Sequence, residues 1–532
     1  MKKILLGDEA IVQGALEAGV DFVTGYPGCP SAEIGEEFLK LGEKYGVYAE
    51  WSINEKIALE SAVGASFSGL KSLVNMKSFG INVCADSLLP LAYTGTNAPM
   101  VIVVADDPSN HSSAQSEQDS RQYAFLSHIP MLEPSSPKEC YTFTKLAFKI
   151  SEKFKLPVIL RITTRVAHQR MPVDIKEVKE RKKQMGEFIK NPDQYSTLMP
   201  KTLEMKKELL KKIEKIKLFA ETSEINVAEG KSSKLGIIAS GVSYLYIKEA
   251  LDILGLDLPI LKLGFFYPLP EMKISRFLNG LEKVLVLEEI EGLLEKEIFK
   301  IMGKPLPDGR QAKAEILGKN LLSEIGEMDI EKTCHALAKL ANRQYKKPII
   351  KEKALPIRTP RLCEGCPYWY AFATIKKVAP KGTIFGGDIG CNMMAGLNPH
   401  NIQDYLFSMG SSLGISHGVK KSTNQKVISI IGDGTFFHSG IPALINSVYN
   451  KSNQLIMVLD NRITAMTGHQ NNPGEILEIE EIARACGVKN IKVLDPINMK
   501  ELEETIKDYL NKEETTMIVC KRICALLAKR SK

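Results

Sequence analysis

The chain has 532 residues, 44% of them hydrophobic and 25% charged, which suits about three globular domains of ~100–200 residues each. Seventy basic against 63 acidic residues leave a net charge of only +7, and no arginine-rich stripe interleaves with aromatics, so nucleic-acid binding is not favoured. No run approaches ~18 consecutive apolar residues, and the opening MKKILLGDEAIVQGALEAG breaks at Gly7-Asp8-Glu9, short of a signal-peptide core. The expectation is a cytoplasmic protein with no membrane partner. Residues 1–170 alternate strand-like runs (DFVTGYP, SLVNM, MVIVVADDP, PVILRITT) with helical patterns such as NEKIALESAVGASFSG. Residues 171–233 change character: DIKEVKERKKQMGEFIKN and TLEMKKELLKKIEKIKLFA carry dense Lys and Glu at helical spacing, which predicts a charged helical connector. A second α/β unit spans 234–345, with KLGIIASG, YLYIKEALDILG, PILKLG and KVLVLEEI. A Pro- and Lys-rich linker covers 346–360. The last unit, 361–532, has strands at TIFGGD, VISIIGD, LIMVLDN and TMIVCKR. The alternation predicts doubly wound parallel sheets with ligands at the carboxyl ends of the strands.

One such end is VISIIGDGTFFHSG (427–440), where a buried run stops at a carboxylate, Asp433, held between Gly432 and Gly434. The glycines let the backbone approach a ligand. Asn461 follows 28 residues later, after one helix (GIPALINSVYN) and one strand (QLIMVLD), so neighbouring strand ends present a carboxylate and an amide oxygen. Mg²⁺ prefers such hard oxygens and completes its octahedron with substrate phosphates. The helix after Gly434 would aim its first amides at a diphosphate. Gly-Asp-Gly alone is as readily a plain turn; the spacing to Asp460-Asn461 makes it a site.

This pattern resembles the diphosphate-binding motif of thiamine-diphosphate enzymes. With GYPGCPSAEI (25–34), EWSINEKIALESAVGAS (50–66), MKSFGINVCADSL (76–88), VVADDPSNHSSAQSEQDSR (103–121), CEGCP (363–367), GDIGC (387–391) and DNRITAMTGHQ (460–470), the chain resembles the alpha subunits of indolepyruvate ferredoxin oxidoreductase. Those subunits belong to the 2-oxoacid:ferredoxin oxidoreductases, and the motifs run in family order through residue 524. The resemblance implies three thiamine-enzyme-type α/β domains: pyrimidine-binding, transketolase-C-like and diphosphate-binding. It implies Asp433, Asn461 and the Ile463 carbonyl as Mg²⁺ ligands. It implies cofactor contacts from Tyr26, Pro27, Cys29, Gly432, Gly434, Thr435, Thr464, Met466 and Thr467. It also implies oxidative decarboxylation of a 2-oxoacid, an arylpyruvate such as indolepyruvate, with CoA taking the acyl group. The implied partners are a smaller beta-type subunit and ferredoxin or a ferredoxin-like subunit, in an oligomer. Two alternatives stay open: a non-oxidative thiamine-dependent decarboxylase and a non-catalytic regulatory homologue.

Thiamine chemistry needs a carboxyl group on the cofactor's aminopyrimidine, in a dry site that keeps it able to share a proton. Glu55 and Glu60 share one predicted helix. Family members carry Glu at the helix start with Gly nine residues on, and Glu55 with Gly64 fits. Glu55 is therefore the expected catalytic carboxyl; the alternative is that either glutamate is a solvated helix residue or a partner of the helix dipole. Cys29 stands where the family has threonine; it is a hydrogen-bonding group at the substrate or an inert buried thiol. Cys363-x-x-Cys366 and Cys391 can hold zinc or an iron–sulfur cluster. By resemblance they would bind one [4Fe-4S] cluster with Cys524 as the fourth ligand and Cys520 spare; the alternative is a metal-free turn. The family's module of two C-x₂-C-x₂-C-x₃-C-P runs is not found in these 532 residues. Electrons are therefore expected to leave through a cluster here or through a separate subunit. His438 and His469 are candidates for lining the site, as are His111 and His128. The stretch 106–121 is a candidate rim, and Lys77 a candidate anchor for a substrate carboxylate or a CoA phosphate.

Overall fold

The computed structural model describes residues 1–112, 115–304, 313–347, 356 and 359–530. It forms two compact units, 1–350 and 351–532. The expected linker 346–360 lies mostly outside the described residues.

Unit 1 is built on a seven-stranded sheet in the order Phe265–Tyr267, Met131–Leu132, Val158–Thr163, Met100–Asp106, Ser72–Lys77, Phe22–Gly25, Tyr48–Trp51. All pairings are parallel except at the Phe265–Tyr267 edge. Helices cover both faces, so Met100–Asp106 and Val158–Thr163 are buried at every position, which is why they read as unbroken apolar runs. The parallel arrangement gathers the carboxyl ends at one edge of the sheet. There Gly25 leads into the GYPGCP loop, Trp51 into the helix Glu55–Phe67, Lys77 into Ser78–Thr94, and Asp106 into the acidic loop. A second sheet runs Glu315–Leu317, Lys283–Leu287, Leu235–Ser240, Ile260–Leu263, Val227–Glu229, antiparallel only at the last.

The boundaries expected at 170/171 and 233/234 are bridged. Lys2–Leu6 pairs with Arg170–Asp174, and Phe265–Tyr267 leaves the second sheet to edge the first. Within 171–233, residues 175–191 form neither helix nor strand, contrary to the Lys/Glu spacing. They run as a strap: Arg181 Nη1 donates to Asp21 Oδ1 at 2.7 Å, and the Glu187 amide donates to Ser68 O at 2.8 Å. A Cβ on Gly186 would stand 2.1 Å from that same oxygen. The body supplies partners for this segment in place of a helical ladder. Lys201–Thr222 is helical as expected, but buries Met205, Leu209, Ile213, Ile216 and Ala220 and so belongs to the core.

Unit 2 holds one all-parallel sheet, Ile384–Gly386, Val427–Gly432, Leu455–Asp460, Thr516–Lys521, Asn490–Leu494. No described helix is long and apolar enough to cross a membrane.

Candidate active site

In unit 2, Gly432 pairs with Leu459, so Asp433 and Asp460-Asn461 emerge side by side from neighbouring strands. A helical segment begins at Asp433, passes through a wide turn at Phe436–Gly440 and continues as Ile441–Tyr449. Its first amides therefore lie at the strand end, as the sequence predicts. Asp433 is 3% exposed, and Asn472 Nδ2 donates to its Oδ2 at 3.1 Å. Burial, then the Asp460 carboxylate, pushes the Asp433 carboxyl up to about 7. Asp460 is in turn held by Arg462, whose guanidinium lies 3.3 Å away and also pairs with Glu478 at 2.6 Å. Arg462 takes a left-handed φ of 65°, turning the chain so that Asn461 and Ile463 follow the strand end closely. Asn461 is buried, and its Oδ1 accepts from the Ile463 amide at 3.2 Å, which leaves a lone pair for a cation.

Both motif glycines are close approaches. A Cβ on Gly432 would stand 3.0 Å from Asn392 Nδ2, and one on Gly434 would stand 3.2 Å from Thr464 Oγ1. Asn392 is buried, with Oδ1 lacking a donor among the described residues. Thr435 Oγ1 donates to Ile389 O at 3.4 Å. Thr467 Oγ1 donates to Gln470 Oε1 at 2.6 Å, closing the loop that carries the part-exposed Met466. A buried carboxyl pushed toward protonation, an adjoining amide oxygen, small residues at the backbone and a helix start fit a Mg²⁺–diphosphate. Asn392 and Asn472 escaped the sequence reading. Asn472 reads as a cap, and its side chain does accept from the Gly474 amide at 2.8 Å. Asn392 had one available signal, its place next to Cys391.

The four cysteines converge in this unit. Gly365, at φ +76°, turns the chain between Cys363 and Cys366, and a Cβ there would meet Ala525 Cβ at 3.9 Å, next to Cys524. Burial, then the thiols of Cys366, Cys524 and Cys363, push Cys391 up to about 12; burial, then Cys363 and Cys524, push Cys366 up to about 11. Zinc holds thiolates at about 2.3 Å, hence about 3.8 Å apart in a tetrahedron. Among the described residues no three of these sulfurs lie within 4.8 Å of one another. Cys520 is buried inside Thr516–Lys521. His469 Nε2 lies 3.6 Å from Cys524 Sγ. Tyr368, unflagged by the sequence, donates to Leu459 O at 3.0 Å and is raised by burial, then by Asp433, Cys391 and Cys366. His438 is buried with Nδ1 3.0 Å from Ser439 Oγ.

In unit 1, Glu55 opens its helix behind Asn54, whose side chain accepts from the Ile57 amide at 2.9 Å. Glu55 is 5% exposed, whereas Glu60 is largely exposed and accepts from Ser87 Oγ at 2.5 Å. Tyr26 and Pro27 are buried, and Cys29 half-buried. Burial, then Glu33, raises the Cys29 thiol. Lys77 faces Cys29, Asp107 and Glu55, and burial pulls its ammonium down. Described residues of the stretch 106–121 have structural partners. His111 Nε2 lies 3.2 Å from Glu327 Oε1, and Arg121 is buried between Asp119 (2.6 Å) and Glu288 (2.8 Å), which tie the loop to the second sheet. His128 Nδ1 lies 3.0 Å from Tyr267 Oη and is likewise structural.

This fold and these residues define a thiamine-diphosphate enzyme of the 2-oxoacid oxidoreductase class. Residues 13–222 match the family "Pyruvate flavodoxin/ferredoxin oxidoreductase, thiamine diP-bdg", 225–343 the "Indolepyruvate oxidoreductase domain", and 388–520 the "Thiamine pyrophosphate enzyme, C-terminal TPP binding domain". The chain is 42% identical over 98% of its length to the indolepyruvate oxidoreductase subunit IorA of Methanothermobacter marburgensis, covering 87% of that protein. It is 41% identical over 99% of its length to the Pyrococcus horikoshii subunit, covering 86% of it. A 2-oxoglutarate:ferredoxin oxidoreductase from Magnetococcus marinus, solved with 2-oxoglutarate, coenzyme A and succinyl-CoA, shares the fold: TM-score 0.51, 18% identity, 64% of this chain and 65% of that one. The chain belongs to the indolepyruvate oxidoreductase subunit IorA family.

Proposed function

We propose that this chain is the catalytic subunit of an arylpyruvate, specifically indolepyruvate, ferredoxin oxidoreductase. It works in the cytoplasm, in an oligomer with a smaller beta-type subunit, and forms an acyl-CoA while electrons pass to ferredoxin or a ferredoxin-like subunit. Thiamine diphosphate, when bound, would supply a carbanion equivalent for chemistry at a 2-oxoacid carbonyl. Asp433, Asn461 and the Ile463 carbonyl hold Mg²⁺, and the first amides after Gly432 receive the diphosphate. Glu55, shielded from water, holds a proton at the aminopyrimidine nitrogen. Lys77, with Cys29 beside it, offers a cation for the substrate carboxylate or a CoA phosphate. Cys363, Cys366, Cys391 and Cys524 hold one [4Fe-4S] cluster as the first electron acceptor.

The observation that carries this reading is that one unit bears both a buried, glycine-flanked Asp433 at a strand end and a Cys391 thiol with Cys366, Cys524 and Cys363 near enough to raise it. The test is iron and acid-labile sulfide on anaerobically purified chain, followed by indolepyruvate-dependent viologen reduction with CoA. About four of each per chain are expected. Cys524→Ser should lower the iron content, and Cys520→Ser should leave it unchanged. An iron-free chain that decarboxylates 2-oxoacids without reducing an acceptor would replace this reading with a non-oxidative decarboxylase.

A further inference from the structure

Unit 1 carries a second group of ionisable side chains with no part in the chemistry above. Asp8 lies in the first turn of the helix Gly7–Glu17, Glu33 in the first turn of Ala32–Tyr45, and His168 at the end of Thr164–His168. One donor atom from each lies within 4.8 Å of the other two. Gly7 makes the approach feasible: a Cβ there would stand 2.0 Å from Val166 O, so the two helices meet backbone to backbone just where Asp8 faces His168.

Asp8 is fully buried, and among the described residues neither of its carboxylate oxygens has a hydrogen-bond donor. Glu33 Oε2 is likewise buried without a donor, while its Oε1 lies 3.5 Å from His168 Nε2. The amide oxygen of Gln169, next in the chain, is buried and unpartnered as well. A buried carboxylate is stable only when paired, protonated or bound to metal. Burial, then Glu33 and Glu9, push the Asp8 carboxyl well above its ordinary range. One proton serves one oxygen and leaves the other acceptors bare. A dication engages both carboxylates at once and cancels their repulsion. Two carboxylates and an imidazole form a mixed oxygen–nitrogen set, which favours first-row transition ions over the all-oxygen preferences of Mg²⁺ and Ca²⁺. His168 and Gln169 line a surface cleft with Thr164, Val242 and Tyr246, which gives an ion a way in.

We propose that Asp8, Glu33 and His168 form a binding site for one divalent transition ion of the Mn²⁺, Fe²⁺ or Zn²⁺ class. The site uses none of the residues expected to hold Mg²⁺ or a cluster.

The test uses the full chain, stripped with chelator and kept free of thiamine diphosphate. Mn²⁺ is the probe because it does not favour thiolates and so ignores the cysteines. Loss of the free Mn²⁺ electron-paramagnetic-resonance signal measures uptake, and electron spin-echo modulation detects a coordinated imidazole nitrogen. Wild type should take up a single Mn²⁺ with nitrogen modulation. Asp8→Asn should weaken uptake about tenfold or more. His168→Gln, on the exposed side of the site, should bind more weakly and lose the nitrogen signal even if Asp8→Asn folds poorly. No uptake by wild type, equal uptake by Asp8→Asn in a folded protein, or nitrogen modulation that survives in His168→Gln would each overturn the proposal.

Discussion

Gly80 lies where the helix Ser78–Thr94 passes Glu55, and replacing it with alanine perturbs the expected catalytic carboxyl without touching its chemistry. The new methyl would stand 2.6 Å from Glu55 Cγ, 2.8 Å from Met76 Cβ and 3.0 Å from Glu55 Oε1. Carbon–carbon contacts settle near about 3.5–4.0 Å, so something must yield by about 1 Å. Met76 is fully buried in the sheet strand Ser72–Lys77, and its Cβ is fixed by the backbone. The Glu55 side chain swings away, and the start of the helix shifts with it to relieve the Met76 contact, so both changes displace the carboxyl. Overpacking costs about 1–3 kcal/mol. Alanine in a helix returns about 0.5–1 kcal/mol relative to glycine. The net destabilisation is therefore about 0–2 kcal/mol, a shift of a few degrees in melting temperature. A displacement of about 1 Å at a reacting group costs about 100-fold in rate. Gly80→Ala should therefore slow hydrogen–deuterium exchange at C2 of bound thiamine diphosphate about 100-fold, and acceptor reduction in parallel, with a near-normal melting curve. Glu55→Gln should slow the exchange at least as much. Exchange at the wild-type rate in Gly80→Ala would refute the assignment of Glu55 or the claim that its position is fixed by contact with this helix.

Asp433→Asn should weaken thiamine diphosphate binding in the presence of Mg²⁺ while stabilising the cofactor-free protein. The folded Asp433 carboxyl is raised to about 7, above its unfolded value. It therefore detracts from stability progressively as pH rises from about 4 through 7, by about 4 kcal/mol at most. The variant's gain in melting temperature should accordingly be larger at pH 8 than at pH 5.5; an equal gain at both would show that ionisation is not involved. Arg121→Met should cost about 3–5 kcal/mol in urea unfolding, because Asp119 and Glu288 would be left buried without their cation. A loss under about 1 kcal/mol would mean that the two carboxyls simply take up protons.

The strand–loop–helix units carrying Glu55 and Asp433 were legible because their signals are local. Asn54 caps the helix one residue ahead of Glu55, and an apolar strand stops at a glycine-flanked aspartate. The charged stretch 175–191 misled for the complementary reason. Its Lys/Glu spacing is compatible with a helix, but its backbone partners, Ser68 and the Tyr45 carbonyl that accepts from Arg181, lie more than a hundred residues away. Asn472 was invisible because neither residue type nor spacing marks an amide that folding brings against Asp433, and Asn392 was marked only by its neighbour Cys391.

The sequence by itself determined the alternating α/β class, the ends of the strands where ligands bind, and the side chains that local turns and caps expose there. Tertiary structure decided which of those ends lie side by side. It set Arg121 between carboxylates from loops of two different sheets, and closed Asp8, Glu33 and His168 into one group. Hydrophobic periodicity and caps act over one helical turn or a few strand residues. Meetings across more than a hundred residues depend on strand order and helix approach, which are settled only when the whole core packs.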